Sequence, residues 1–188
     1  VFDIERVRSW IGDGPDVLIE RATCAAGRPE DSALQARLRR GFDAFTFQHP
    51  LQHGHVYDGI DALLAQLRPE WPMVVVTNKP TPLARAVLDA AGLLSYFSAV
   101  YGADTAELRK PAPNMLQRAA QELGFQTGDL LMVGDSGADL RAALAAGAAS
   151  AWAEWGYADA TLLPVQPRWR LTHPSQLWPI VQGFSAAA

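Results

Sequence analysis

The sequence predicts an α/β fold: a doubly wound parallel sheet with helices on both faces, preceded by a smaller helical region. From about residue 60 onward, short apolar runs rich in β-branched residues alternate with segments that have the 3.6-residue apolar spacing of helices. Before residue 50, only the helical spacing occurs. The alternation favours parallel strands, because parallel neighbours must be joined by crossover segments rather than by tight turns.

The beginning of the chain is predicted to form amphipathic helices. Ile4, Val7 and Ile11 have helical spacing, which the turn at Gly12–Pro15 interrupts. Asp31 is placed to cap a second helix, because its side chain can accept a hydrogen bond from the first turn.

The stretch 49–55 is polar and has no periodicity, so it is the predicted domain boundary. We therefore expect a helical region over residues 1–52, and an α/β core over residues 53–188.

Within the core, each predicted element follows from a local pattern. Strands are predicted at 73–76, 99–101, 130–133 and 149–153, and helices at 60–67, 81–91, 114–123, 138–146 and 174–181. Glycine follows three of these helices, at Gly92, Gly124 and Gly147. The first strand is a continuous apolar run, which predicts burial on both faces.

Composition excludes several classes of protein. The 188 residues are 49% hydrophobic and 19% charged, which is typical of a folded domain, alone or with a small addition. A net charge of −4 without a basic run does not favour nucleic-acid binding, and no apolar run is long enough to span a bilayer. The single cysteine, Cys24, rules out an intramolecular disulfide framework. We expect a cytoplasmic protein that binds neither nucleic acid nor membrane.

Polar side chains follow the predicted strands. Thr77 comes directly after the first strand, Lys110 lies in the segment beyond the second, and Asp135 comes just after the third. Ligands of open parallel sheets bind outside the carboxyl ends of the strands, so these groups are expected to converge there.

The two aspartates after the third strand favour a cation site. Asp135 ends an apolar strand and needs a counter-charge, which Mg²⁺ would supply through oxygen ligands; otherwise it caps the next helix. Asp139 lies in the first turn of that helix, where it can face the same crevice or complement the helix dipole.

The threonine and the lysine favour a phosphate site. Thr77 offers a hydroxyl beside backbone N–H groups that open a helix, although this is also ordinary turn chemistry. Lys110 could neutralise phosphoryl oxygens or simply be solvated. Of the 16 Lys and Arg residues only Lys79 and Lys110 are Lys, which suggests positions where Arg would not serve.

The order of these motifs resembles the haloacid dehalogenase (HAD) superfamily, in particular its phosphoglycolate phosphatase branch. The matching segments are Val75–Pro80, Leu108–Pro113, Met132–Asp139 and Trp155–Tyr157, and Val7–Gly14 resembles the start of that branch's helical cap.

The resemblance implies a HAD-like core over residues 53–188 that lacks its first strand, and a partial helical cap over residues 1–52. It also implies a Mg²⁺-dependent phosphatase of carbohydrate metabolism. Its substrate would be a small phosphate monoester, 2-phosphoglycolate. The implied catalytic residues are Thr77, Lys110 and Asp139, the implied substrate-binding residues Asn78 and Lys79, and the implied Mg²⁺ ligand Asp135. The substrate carboxylate could meet Arg8, Arg21 or the turn at Gly12–Gly14, and the sequence does not choose among them. The protein is expected to be a monomer or a homodimer.

One family motif is not found. The resemblance implies a central strand that ends in Asp-x-Asp-x-Thr, whose first Asp forms an aspartyl phosphate. Val1–Glu5 resembles it only superficially, and Asp3 is expected to be an acid at the start of a helix. We therefore expect the central strand and its nucleophile to lie upstream, and the 188-residue chain alone to be inactive.

Other functions remain open at this point. A catalytically inactive HAD-like fragment, or a phosphate-binding module, would carry the same motifs without turnover. A sugar-phosphate mutase is also compatible, because the resemblance implies that the cap decides the substrate. A Rossmann dinucleotide domain is disfavoured, because no Gly-x-Gly-x-x-Gly follows the first strand.

Overall fold

The computed structural model describes residues 2–157 and 163–184. Three helices lie within the first 52 residues: α1 Ile4–Arg8, α2 Pro15–Ala25 and α3 Ser32–Gln48. The later helices are α4 Ile60–Leu67, α5 Thr81–Ala90, α6 Asn114–Leu123, α7 Gly137–Ala146 and α8 Leu177–Gly183. The strands are β1 Val74–Thr77, β2 Ala99–Gly102, β3 Leu131–Gly134, β4 Ala149–Ala153 and β5 Trp169–Leu171. We call the residues up to 52 the cap region and the later ones the core region.

The predicted α/β class is confirmed, and every described strand pairing is parallel. The strands form two sheets, with the orders β1–β2 and β3–β4–β5. In the first sheet Val74 lies opposite Ala99 and Thr77 opposite Gly102. In the second, Leu131 lies opposite Ala149. Strand β5 was not predicted, because its three residues carry no alternating pattern and pair only with β4.

An apolar cavity of about 450 Å³ lies between the two sheets. Its lining includes three residues of β1, three of β3, and apolar side chains of α4 and α8. The prediction that the run 73–76 is buried on both faces is wrong for the described structure. Residues Val74–Thr77 are only partly buried, because β1 faces this cavity instead of a further strand.

The core region is held together by close packing of its helices on the strands. Met115, Ala119, Ala142 and Leu140 are at most 1% exposed. In the cap region, α1 and α3 have no buried residue, and α2 has three. Helix α3 begins as predicted, because the Asp31 carboxylate accepts a 2.8 Å hydrogen bond from the Leu34 N–H.

Candidate active site

The carboxyl ends of β1 and β3 face the cap region across a cleft of about 220 Å³. Its core side is formed by Thr77, Asn78, Lys79, Lys110, Asp135, Ser136 and Asp139, which include all six residues predicted for the site. Its cap side is formed by Ile11, Gly12, Gly14, Pro15, Leu18 and Phe42. The structure thus brings together residues that are up to 128 positions apart in the chain, from Ile11 to Asp139.

A buried ion pair lies at the bottom of the cleft. The Lys110 ammonium donates hydrogen bonds to Asp139 Oδ1 at 2.6 Å and to the Val76 carbonyl oxygen at 2.8 Å. Both side chains are buried, with 7% and 6% of their surface exposed. A buried charge needs a partner and hydrogen bonds, and this pair provides both.

Asp139 is occupied on both oxygens. Its Oδ2 accepts hydrogen bonds from the N–H and the hydroxyl of Ser136, at 2.9 and 2.7 Å. The Ser136 hydroxyl in turn caps α7, so the two residues form a capping box. Asp139 therefore orients Lys110 and starts the helix, and its support of a metal ion stays a prediction. Ser136 was not singled out, although Ser-x-x-Asp before a helix is a capping signal.

Asp135 lines the same cleft and is partly buried. Its Oδ2 accepts a 2.9 Å hydrogen bond from the Tyr157 N–H, and no described residue donates to its Oδ1. Gly156 is required for this approach, because a Cβ there would collide with the Asp135 carboxylate. Among the described residues, no group of three or more Asp, Glu, His or Cys side chains is arranged to hold a metal ion.

Asn78 connects the core to the cap region. Its amide oxygen accepts from the Lys110 N–H at 2.7 Å, and its amide nitrogen donates to the carbonyl oxygens of Gly12, at 3.0 Å, and Lys110, at 3.2 Å. Gly14 passes close by, since a Cβ on it would lie 2.8 Å from the Asn78 carbonyl oxygen. The side chain is 5% exposed and fully used in these contacts, so the predicted substrate contact of Asn78 stays a prediction.

Thr77 and Lys79 form the wall of the cleft after β1. The Thr77 hydroxyl oxygen accepts a 3.1 Å hydrogen bond from the Lys79 N–H, which leaves its proton available for a ligand. The Lys79 ammonium lies 5.6 Å from the centre of the Phe42 ring on α3. Burial lowers the pKa of this lysine, and the nearby Asp43 carboxylate only partly offsets that effect.

Asp3 is far from this chemistry. It caps α1, where its carboxylate accepts a 2.8 Å hydrogen bond from the Arg6 N–H, and it is exposed. This agrees with the expectation that it is an acid at a helix start.

Fold and cleft together define an α/β protein with a polar cleft between the carboxyl ends of its strands and its first helices. The haloacid dehalogenase-like hydrolase family model matches residues 2–147. The chain therefore belongs to the haloacid dehalogenase-like hydrolase family.

Similar proteins include phosphoglycolate phosphatases. The enzyme of Yersinia pseudotuberculosis is 38% identical over 152 residues, which cover 80% of this chain and 66% of that protein. The enzyme of Chromobacterium violaceum is 39% identical over 164 residues, which cover 86% and 74%. The chain thus spans slightly less than two thirds of the Yersinia relative.

Solved structures agree on the fold. The crystal structure of a predicted phosphoglycolate phosphatase from Haemophilus somnus matches 96% of this chain and 83% of its own, with a TM-score of 0.86 and 26% identity. A β-phosphoglucomutase from Clostridium difficile matches 97% and 82%, with a TM-score of 0.79 at 15% identity. The second match concerns the fold alone. Among the described residues, no helix has the length and apolar character needed to cross a membrane.

Proposed function

We propose that the protein is a Mg²⁺-dependent phosphatase that hydrolyses a small phosphate monoester, 2-phosphoglycolate, through an aspartyl-phosphate intermediate. The observation that carries this proposal is the convergence of Thr77, Lys110 and Asp135 on one cleft. The volume of that cleft suits a small ester better than a drug-sized ligand. The similarity to phosphoglycolate phosphatases supports the choice of substrate.

Two donors are available to the phosphoryl group. The Thr77 hydroxyl accepts from the Lys79 N–H, so its own proton can be donated to a phosphoryl oxygen. Lys110 has three ammonium protons, of which two are used by Asp139 and the Val76 carbonyl. The third can bind the phosphoryl group at a position that the ion pair holds still.

Asp135 fits a Mg²⁺ ligand. Mg²⁺ is often held by one or two carboxylates together with substrate phosphate and water, and Asp135 Oδ1 has no described donor. When bound, Mg²⁺ would offset the negative charge of the phosphoryl oxygens.

The nucleophilic aspartate is proposed to lie on a strand that fills the cavity between β1 and β3. The indole N–H of Trp71, a residue that lines this cavity, is buried without a hydrogen-bond partner among the described residues. In the reaction that the resemblance implies, the Asp carboxylate bonds to phosphorus while the ester P–O bond breaks. The second Asp of the motif protonates the leaving alkoxide, and water then hydrolyses the acyl phosphate.

The first experiment compares the protein as encoded by its gene with the 188-residue chain made alone. We expect Mg²⁺-dependent release of phosphate from 2-phosphoglycolate by the first, and its loss with EDTA. We expect no release by the second, because the carboxylates of its described cleft, Asp135 and Asp139, are assigned to the metal ion and to Lys110, and the nucleophile is proposed to lie on a further strand. Turnover by the 188-residue chain would refute the proposed position of the nucleophile.

A second experiment tests the strand directly. A synthetic apolar peptide that ends in Asp-x-Asp-x-Thr is added to the 188-residue chain, and its control has both Asp replaced by Asn. Both peptides should shift the fluorescence of Trp71 and Trp155, which line the cavity, and only the Asp peptide should restore turnover. If neither peptide changed the tryptophan fluorescence, the proposal that a strand fills the cavity would be contradicted.

The alternative is a phosphate-binding module without turnover. The occupied state of both Asp139 oxygens favours it, because Asp135 is then the one described carboxylate of the cleft with an oxygen open to a ligand. It would be indicated if the gene-encoded protein bound inorganic phosphate but hydrolysed no ester. The cytoplasmic location and the state as monomer or homodimer stay predictions.

A further inference from the structure

Among the residues that the structure describes, Lys79 is a cation of the cleft without a counter-ion. It is partly buried, and its ammonium lies over the Phe42 ring at 5.6 Å. No described carboxylate forms an ion pair with it, whereas the other lysine of the cleft, Lys110, is paired with Asp139. The Lys79 ammonium is therefore available to bind a negatively charged group of a ligand.

Two arginines of the chain, Arg21 and Arg109, already have carboxylate partners. Arg21 donates to Asp13 Oδ2 at 2.5 Å and to the Trp10 carbonyl oxygen at 2.9 Å. Arg109 pairs with Asp16 at 3.2 Å.

Arg39 is used in the same way. It pairs with Asp16 and donates to both Asp43 oxygens at 3.0 and 3.1 Å. The carboxylate that acts electrostatically on Lys79, that of Asp43, is thus largely neutralised by Arg39.

The position of Lys79 relates its charge to the phosphate site. Its backbone N–H is bonded to the Thr77 hydroxyl oxygen, so it directly adjoins the proposed phosphoryl contact. Its ammonium reaches towards α3 on the cap side of the same cleft. An ester held by Thr77 and Lys110 would therefore extend towards the Lys79 ammonium.

We propose that Lys79 binds a carboxylate of the substrate and makes the site selective for small phosphate esters of hydroxy acids. This inference rests on the proposed phosphatase function. It places the selective group on the core after β1, and not on Arg8, Arg21 or the turn at Gly12–Gly14. A carboxylate would replace the hydration that the partly buried ammonium has lost.

The test uses the gene-encoded protein and two esters of similar size. 2-Phosphoglycolate carries a carboxylate where ethyl phosphate carries a methyl group. We expect Lys79→Met to lower kcat/KM for 2-phosphoglycolate about 10- to 100-fold more than for ethyl phosphate, the range of a charge-assisted hydrogen bond. Lys79→Arg keeps the charge but not the shape of the ammonium group, so it should retain part of the preference.

Arg85→Met is the matched control. It removes one positive charge from the exposed side of α5, outside the cleft, and should leave the ratio of the two kcat/KM values unchanged. Circular dichroism and the thermal midpoint verify that each variant is folded.

The outcomes separate this inference from the function on which it rests. An equal loss for both esters in Lys79→Met would overturn the role in selectivity, and so would a wild-type protein that hydrolyses both esters equally well; the phosphatase function would stand in either case. If the wild-type protein hydrolyses neither ester and binds no inorganic phosphate, the proposed function fails and this inference with it.

Discussion

The cap and core regions are held by different forces. In the core, α7 buries six of its ten residues and α6 buries four of ten. In the cap, α3 is 17 residues long and buries none. The cap instead meets the core through polar contacts, such as the hydrogen bond from Asn78 to Gly12 and the ion pair of Arg109 with Asp16. The core region is therefore expected to resist local opening more strongly than the cap region.

The two regions should differ most in how much the free energy of unfolding falls when one partner of an ion pair is removed. Lys110→Met leaves the Asp139 carboxylate buried without its partner, so we expect a loss of about 3–5 kcal/mol in the free energy of unfolding. Arg109→Met removes the neighbouring cation, whose partner Asp16 is exposed, and should cost about 0–1 kcal/mol. Urea unfolding measures both. Equal losses would mean that the pair in the core is no more important than the contact with the cap.

Truncation of an apolar side chain should also destabilise the core region more than the cap region, by a somewhat smaller difference in the free energy of unfolding. Leu140→Ala in α7 removes a side chain that is 1% exposed, and we expect a cost of about 2–5 kcal/mol. Leu38→Ala in α3 changes a residue that is 41% exposed and should cost about 0.5 kcal/mol or less. Thermal or urea unfolding of the two variants compares the regions with the same substitution. A large cost for Leu38→Ala would show that the cap is packed as firmly as the core.

Asn78 tests the junction between the regions. Asn78→Ala removes the amide that bonds to Lys110 and Gly12, so we expect a cost of about 1–3 kcal/mol and faster amide exchange around residues 9–14. The control is Asn114→Ala, at an exposed position whose side chain makes no hydrogen bond within the described residues. Unchanged exchange in the turn would contradict the role of Asn78 as a link.

The smallest expected effect concerns pH. Burial lowers the pKa of Lys79 below its ordinary value of 10.5, so its charge is present below the lowered pKa and is lost as the pH rises through it. Preference for 2-phosphoglycolate over ethyl phosphate should therefore decline, up to about tenfold, at a pH where a solvated lysine is still charged. In Lys79→Arg the preference should persist, because arginine stays protonated. Identical pH profiles for the two proteins would refute this explanation.

Local patterns predicted most of the elements. The predicted bounds of α4 and α6 are those observed, and Asp31 caps α3 as expected. These features depend on contacts between residues three or four positions apart, which a sequence displays directly. Strand β5 depends on pairing with β4, a contact between distant residues that no local sequence pattern indicates.

The residue types and order of the site were readable in the sequence, because Thr77, Lys110 and Asp135 follow strands whose carboxyl ends must meet at one edge. The partners of those residues were not. The tertiary structure alone decided that Asn78 bonds to Gly12, 66 positions away, and that Asp139 neutralises Lys110. It also decided that no carboxylate of the described residues pairs with Lys79. The physical reason is that a polar side chain takes whichever partner packing brings within about 3 Å, and packing depends on the whole chain.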